Sequence, residues 1–140
     1  MGLWTPPGGR SAVYLRIGLC LVENSTGKHL NACYNTNNQG PQFNLFSFSA
    51  LGTFGSALHT SGAIFGGRFP VFFKVVYDGT NYVFTYSLDF MDSWETMATA
   101  AKATYFTTAA DRIGIDVQTF ATFAANEPRA DIFYYSDPDF

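Results

Sequence analysis

"FKVVYDGTNYVFTYSLDFMDSW", Phe73 to Trp94, decides the fold. The stretch alternates, turns at Asp78-Gly79 and alternates again. Asp-Gly supplies the two residue types that tolerate positive φ in a tight hairpin turn. Setting Tyr77 opposite Tyr82 aligns Val75 with Phe84, Phe73 with Tyr86 and Val71 with Leu88. Eight large apolar or aromatic side chains then share one face. The other face carries Phe72, Lys74, Val76, Val83, Thr85 and Ser87, a mixed and partly wettable set. This two-residue period is that of a half-buried antiparallel sheet.

Composition agrees. The chain has 140 residues, enough for one domain with a core and too few for two. Aromatic residues make up 18%, with 15 Phe and 8 Tyr, and only 14% are charged, against roughly 25% in an average globular chain. Rings and β-branched residues favour pleated surfaces. So few charges are compatible with a well-filled sandwich core or with a surface partly covered by another chain. The net charge is −3, and the eight Lys and Arg are scattered singly. Nucleic-acid binding, which needs clustered cations, is therefore not expected. No apolar run reaches the roughly 18 residues of a membrane helix, so no membrane role is expected. "MGLWTPPGGRSAVYL" lacks the basic start and apolar core of a secretory signal, which points to synthesis in a cytoplasm.

Along the chain, residues 1–10 read as an arm, because Pro6-Pro7 and Gly8-Gly9 interrupt any regular element. Residues 11–140 read as a single sandwich domain. "AVYLRIGLCLVENSTGKHLNACYN" is a second hairpin. Centred on Thr26-Gly27, it faces Leu21 with Ala32, Leu19 with Tyr34 and Cys20 with Cys33. Leu19, Leu21, Leu30, Ala32 and Tyr34 then belong to the core. "TNNQGPQ" reads as a loop, "FNLFSFSAL" as a strand, and "GTFGSALHTSGAIFGGRFP" as short strand pieces or a long loop. "DSWETMATAAKATYF" is the one helix-like segment, starting near Ser93 with Asp92 or Ser93 as its cap. "DRIGIDVQTF" and "RADIFYY" are the last strands. The sum is an all-β antiparallel sandwich or jelly roll with one short helix and an N-terminal arm.

"GLCLVENSTGK", the opening stretch, "DRIGIDVQT" and "ADIFYY" together resemble the strands of a concanavalin A-like (lectin/glucanase, laminin-G-like) jelly roll, over roughly Leu15 to Tyr135. Where such domains carry Asp-Gly after the second hairpin strand, this chain has Asp89-Phe90. Its N-terminal side also looks a strand or two short, to be supplied by the arm or by another subunit. The resemblance implies either a carbohydrate-binding module or a virion protein of a tailed phage, such as a fibre or decoration protein.

Glycan-cleaving members of that fold resemble one another in a strand bearing carboxylates at i and i+4. Hydrolysis needs two carboxyls about 5 Å apart for retention or about 6.5–9.5 Å for inversion. The three glutamates, Glu23, Glu95 and Glu127, form no such pattern, so no catalytic residues are expected. Asp89 and Asp92 share a turn. The expected role is backbone capping at a corner, with a structural calcium site as the alternative, since hard cations take clustered oxygens. Trp94 is expected to plug the end of the sandwich. His29 and His59 have no ligand-spaced partner for zinc. Cys20 and Cys33 could pair across the hairpin, with a reduced pair favoured in a cytoplasm.

The functional expectation is a non-enzymatic structural or assembly module of a virus particle, located in the virion. Its partners would be further copies of itself or other virion proteins, with the arm packed on a neighbour. The alternative is a glycan-binding module using Trp4, Tyr34, His59 and the "NTNNQG" loop.

Overall fold

The computed structural model describes residues 2–4, 15–37, 40–62, 71–119 and 131–132. Among them are ten strands: β1 Gly2–Trp4, β2 Leu15–Glu23, β3 Lys28–Asn37, β4 Gly40–Ala50, β5 Thr53–Thr60, β6 Val71–Tyr77, β7 Asn81–Ser87, β8 Glu95–Ala101, β9 Arg112–Thr119 and β10 Asp131–Ile132. One helix, α1 Lys102–Tyr105, lies between β8 and β9. The strands form two antiparallel five-stranded sheets, ordered β10-β1-β6-β7-β8 and β5-β4-β3-β2-β9. Their facing sides share one apolar core: Ile17, Leu19, Leu21, Leu30, Ala32, Tyr34, Phe43 and Leu45 from one sheet, Val71, Phe73, Tyr82, Phe84, Met97 and Ala100 from the other. The architecture is an all-β sandwich.

The β6–β7 hairpin has the expected register, with Tyr77 opposite Tyr82, Val75 opposite Phe84 and Phe73 opposite Tyr86. The Asp78 carboxylate accepts the backbone N–H groups of Thr80 and Asn81, at 2.8 and 2.6 Å, and Gly79 has φ of 94°. The side chain thus builds the turn that the Asp-Gly pair announces. Strand β7 ends at Ser87, so Val71 and Leu88 do not pair, although Leu88 still packs on the core.

The β2–β3 register differs from expectation by two residues. Leu21 faces Leu30, Leu19 faces Ala32, and Ile17 faces Tyr34. A four-residue turn, Asn24 to Gly27, replaces the two-residue one. Gly27 has φ of 73° and donates its N–H to Glu23 O at 2.9 Å. A shift of two leaves each side chain on its expected face, because the strand period is two. Cys20 therefore opposes Asn31, and Cys33 opposes Gly18; both thiols are free and buried.

The expected helix at Ser93 is a strand. Glu95–Ala101 pairs with β7, and only Lys102–Tyr105 is helical. The register slips between Phe84 and Thr85, leaving Met97 as an extra, bulged residue. Met97, Ala98 and Ala100 consequently all turn towards the core. This spacing imitates a helical face, while the unpaired edge of β7 draws the segment into the sheet.

The start of the expected arm is also strand. Leu3 of β1 pairs with Val71 on one side and Ile132 on the other, so Gly2–Trp4 is a strand of the chain's own sheet. A backbone edge inside a sheet needs partners for its N–H and C=O groups, and β1 supplies them between β6 and β10. Residues 5–10 lie outside the described residues. Within the expected loop 36–42, residues 36–37 and 40–42 are strand, while residues 38–39 lie outside the described residues. Thr53–Thr60 is one strand with irregular register, not several pieces; residues 63–70 of that segment lie outside the described residues.

Candidate functional site

Strand alternation places a second set of side chains on the β2–β3–β4–β9 surface that faces away from the core. Across it run Asp116, Gly18, Cys33, Asn44 and Thr60 in one row, and Gly114, Cys20, Asn31 and Phe46 in the next. A further row sets Arg16, Asn35 and Gln42 side by side. This outward face is buried and polar: Asn31, Asn35, Gln42 and Asn44 are each less than 9% exposed.

Hydrogen bonds link the amides. Asn35 Nδ2 donates to Asn44 Oδ1 at 3.1 Å, and Asn44 Nδ2 donates to Thr60 Oγ1 at 2.9 Å, crossing three strands. Asn31 Nδ2 donates to the Asp116 carboxylate. These donors leave Asn31 Oδ1 and Asn35 Oδ1 buried, without a hydrogen-bonding partner among the described residues. Buried acceptors without a donor are costly and uncommon. The row is bounded by aromatics. The Arg16 guanidinium lies 4.3 Å from the Phe46 ring centroid, and His29 stacks on Phe48 at 4.1 Å. His29 Nδ1 is 3.0 Å from Gly27 O.

Burial pushes the Cys20 thiol up to about 12, with the Asp116 charge adding to it. Burial likewise raises Cys33 to about 12, with Arg16 opposing and Asp116 reinforcing the shift. Both thiols stay protonated near neutral pH and are poor nucleophiles.

The carboxylates outside this face are held in low-pKa settings. The Thr26 hydroxyl, with the N–H and hydroxyl of Thr108, holds Glu23 down to about 2 against the effect of burial. The Ser87 hydroxyl, followed by the hydroxyl and N–H of Ser93, holds Asp89 down to about 2. A general acid for glycoside cleavage needs the opposite shift. Asp89 thereby closes the corner after β7, where Phe90 and Met91 adopt φ of 58° and 75°. Asp92 is exposed and contributes its N–H to Asp89 O at 3.3 Å. Among the described residues, no group of three or more His, Cys, Asp or Glu is placed to hold a metal ion.

Of the residues expected to meet a glycan, Tyr34 and His59 are described, while the Trp4 side chain and residues 38–39 lie outside the described residues. Tyr34 is 4% exposed, in the core, edge-on to Phe43; its inward position in β3 removes it from any surface. His59 is half-buried on β5 opposite Leu45. Trp4 lies on β1, its backbone paired with Asp131. Trp94 is a further correction. It is half-buried with Lys74 Nζ 4.4 Å above its ring, and Lys74 points away from the core, so the indole covers the outside of the sheet rather than plugging its end. With Leu30, Ala32 and Tyr34 inward, alternation leaves Asn31 and Cys33 outward, but the buried amide cluster was not foreseen. Its signal was the run of Asn and Gln at alternate strand positions 31, 35, 42 and 44, where amides are disfavoured.

Compared with known proteins, the chain matches no family model and gives no significant match to a curated protein or to a solved structure.

Proposed function

We propose that the chain is a non-enzymatic structural and assembly module of a virus particle, built on a concanavalin A-like jelly roll and located in the virion. The observation that carries this reading is the exposure of large apolar side chains on a charge-poor sandwich: Leu51, Phe54, Val76, Tyr77, Phe90 and Val117 all stand in solvent. Such surface is costly unless another chain covers it. Mass spectrometry of purified particles from the encoding source tests the assignment. Peptides of this chain at a stoichiometry set by the particle's symmetry would support it, and their absence from intact particles would overturn it.

A second reading, a carbohydrate-binding module, is favoured by the amide row. The acceptor oxygens of Asn31 and Asn35 have no partner among the described residues and suit hydroxyl donors; they and Phe46 are buried, so a sugar would reach them only on opening of the face. The binding residues would then be these, in place of Trp4, Tyr34 and His59. A glycan array is the test: binding that is lost in Asn35→Ala supports the reading, and an array without binders removes it.

A further inference from the structure

Each sheet needs its edges protected, and the long edges here differ. β5 pairs with β4 through three register shifts, and β8 pairs with β7 through one. Irregular, bulged strands resist further pairing. β9 has none of this. Its eight residues pair with β2 without interruption, from Leu15 opposite Thr119 to Val22 opposite Arg112. Among the described residues, no strand lies on its other side. No proline interrupts it, and Ile115 and Val117, on the side of the strand that faces the sandwich interior, are 36% and 51% exposed. A long, regular edge with exposed apolar side chains is a template for another strand.

We propose that the occupant is a second copy of this chain, pairing β9 antiparallel with β9 of its neighbour about a two-fold axis at Gly114. The inference rests on the assembly reading above and specifies its interface. Self-complementarity selects both the partner and the register. With the axis at Gly114, Arg112 of each copy faces Asp116 of the other, giving two opposite-charge pairs on one side of the joined sheet. On the other side, Ile113 faces Ile115 in both directions. Centring on Ile115 instead would set Asp116 against Gly114 and Arg112 against Gln118, with no charge matched. Gly114 places no side chain at the axis, and a Cβ built there meets nothing within 4 Å among the described residues, so a residue with a side chain fits at this point. The pairing joins two five-stranded sheets into one of ten strands and sets the exposed Ile115 of each copy against Ile113 of the other. An interface of this kind is isologous and closes as a dimer.

Light scattering on the full chain with its mass of 15.4 kDa tests the proposal. A concentration-dependent dimer is expected. Arg112→Asp, a change at an exposed position, sets like charges opposite each other twice and should weaken the dimer by about tenfold or more. Asp116→Arg should do the same, and the double exchange R112D/D116R should restore association, which damage to the fold would not. In a Cys20→Ala background, Gly114→Cys should give a 114–114 disulfide on oxidation, because directly opposed strand residues lie within disulfide reach. A strict monomer would overturn this interface and leave the assembly reading to the particle test, since that reading also admits other virion proteins as partners. An oligomer indifferent to the charge exchanges, with no 114–114 crosslink, would overturn the β9 interface and leave the assembly reading standing.

Discussion

Glu23 and Thr108, 85 residues apart in sequence, are joined twice: the Glu23 carboxylate accepts both the backbone N–H and the hydroxyl of Thr108. The same carboxylate accepts the Thr26 hydroxyl across the β2–β3 turn. One side chain thus ties the first hairpin to the segment between α1 and β9. Lys28 Nζ, donating to Thr107 Oγ1 at 3.0 Å, and Asn24 N–H, donating to Asp111 Oδ1 at 2.8 Å, extend the same seam.

That tie makes stability dependent on pH in a defined direction. Glu23 is held at about 2 in the folded chain, below its ordinary value. Its contribution is therefore complete above the ordinary glutamate range and is lost as pH falls towards 2. Melting temperatures measured from pH 7 to pH 2 should fall across that window. Glu23→Gln should melt lower at pH 7 and show a shallower acid decline. Parallel curves for the two proteins would show that the carboxylate charge is not used.

The corner after β7 stores backbone strain at Phe90, whose φ is 58° and whose side chain is 68% exposed. A bulky residue in the left-handed region costs about 1–2 kcal/mol, partly offset by the rigidity it lends the unfolded chain. Phe90→Gly is expected to be neutral or stabilising by up to about 1 kcal/mol in urea unfolding. Destabilisation of more than about 1 kcal/mol would mean that the Phe72–Phe90 contact outweighs the strain.

Tyr34 belongs to the interior, edge-on to Phe43 with ring centroids 6.0 Å apart. Tyr34→Ala should cost about 3 kcal/mol or more, the range of large aromatic deletions. Chemical denaturation measures it. A cost under about 1 kcal/mol would contradict the packing and return Tyr34 to the surface.

The two cysteines should be silent in the folded protein. Burial raises both thiols to about 12 and the register separates them. Ellman's reagent at pH 8 should find no rapidly reacting thiol in native protein and two in denaturant. A rapid native reaction, or fewer than two thiols after unfolding without reductant, would contradict the free, buried assignment.

The sequence was legible where the signal is local. Alternation and the Asp-Gly pair identified the β6–β7 register from Phe73 opposite Tyr86 to Tyr77 opposite Tyr82, because a period of two and a short turn fix it. The faces of β2 and β3 were equally readable. Their exact pairing was not, because the hydrogen bonds that set the four-residue turn depend on Glu23, which is itself held by distant Thr108. The helix expected at Ser93 failed for a related reason: alanine, threonine and a bulge at Met97 leave local preference weak, and the open edge of β7 decides.

The sequence alone determined an all-strand body with an aromatic interior, since ring content, alternation and turn chemistry act over a few residues. Tertiary structure alone decided that the amides of Asn31, Asn35 and Asn44 share one buried outward face, with Asn35 bonded to Asn44 and Asn31 to Asp116, and that β9 has no further strand beside it among the described residues. Those outcomes depend on which strands become neighbours, and neighbours are chosen by summed contacts between segments far apart in the chain.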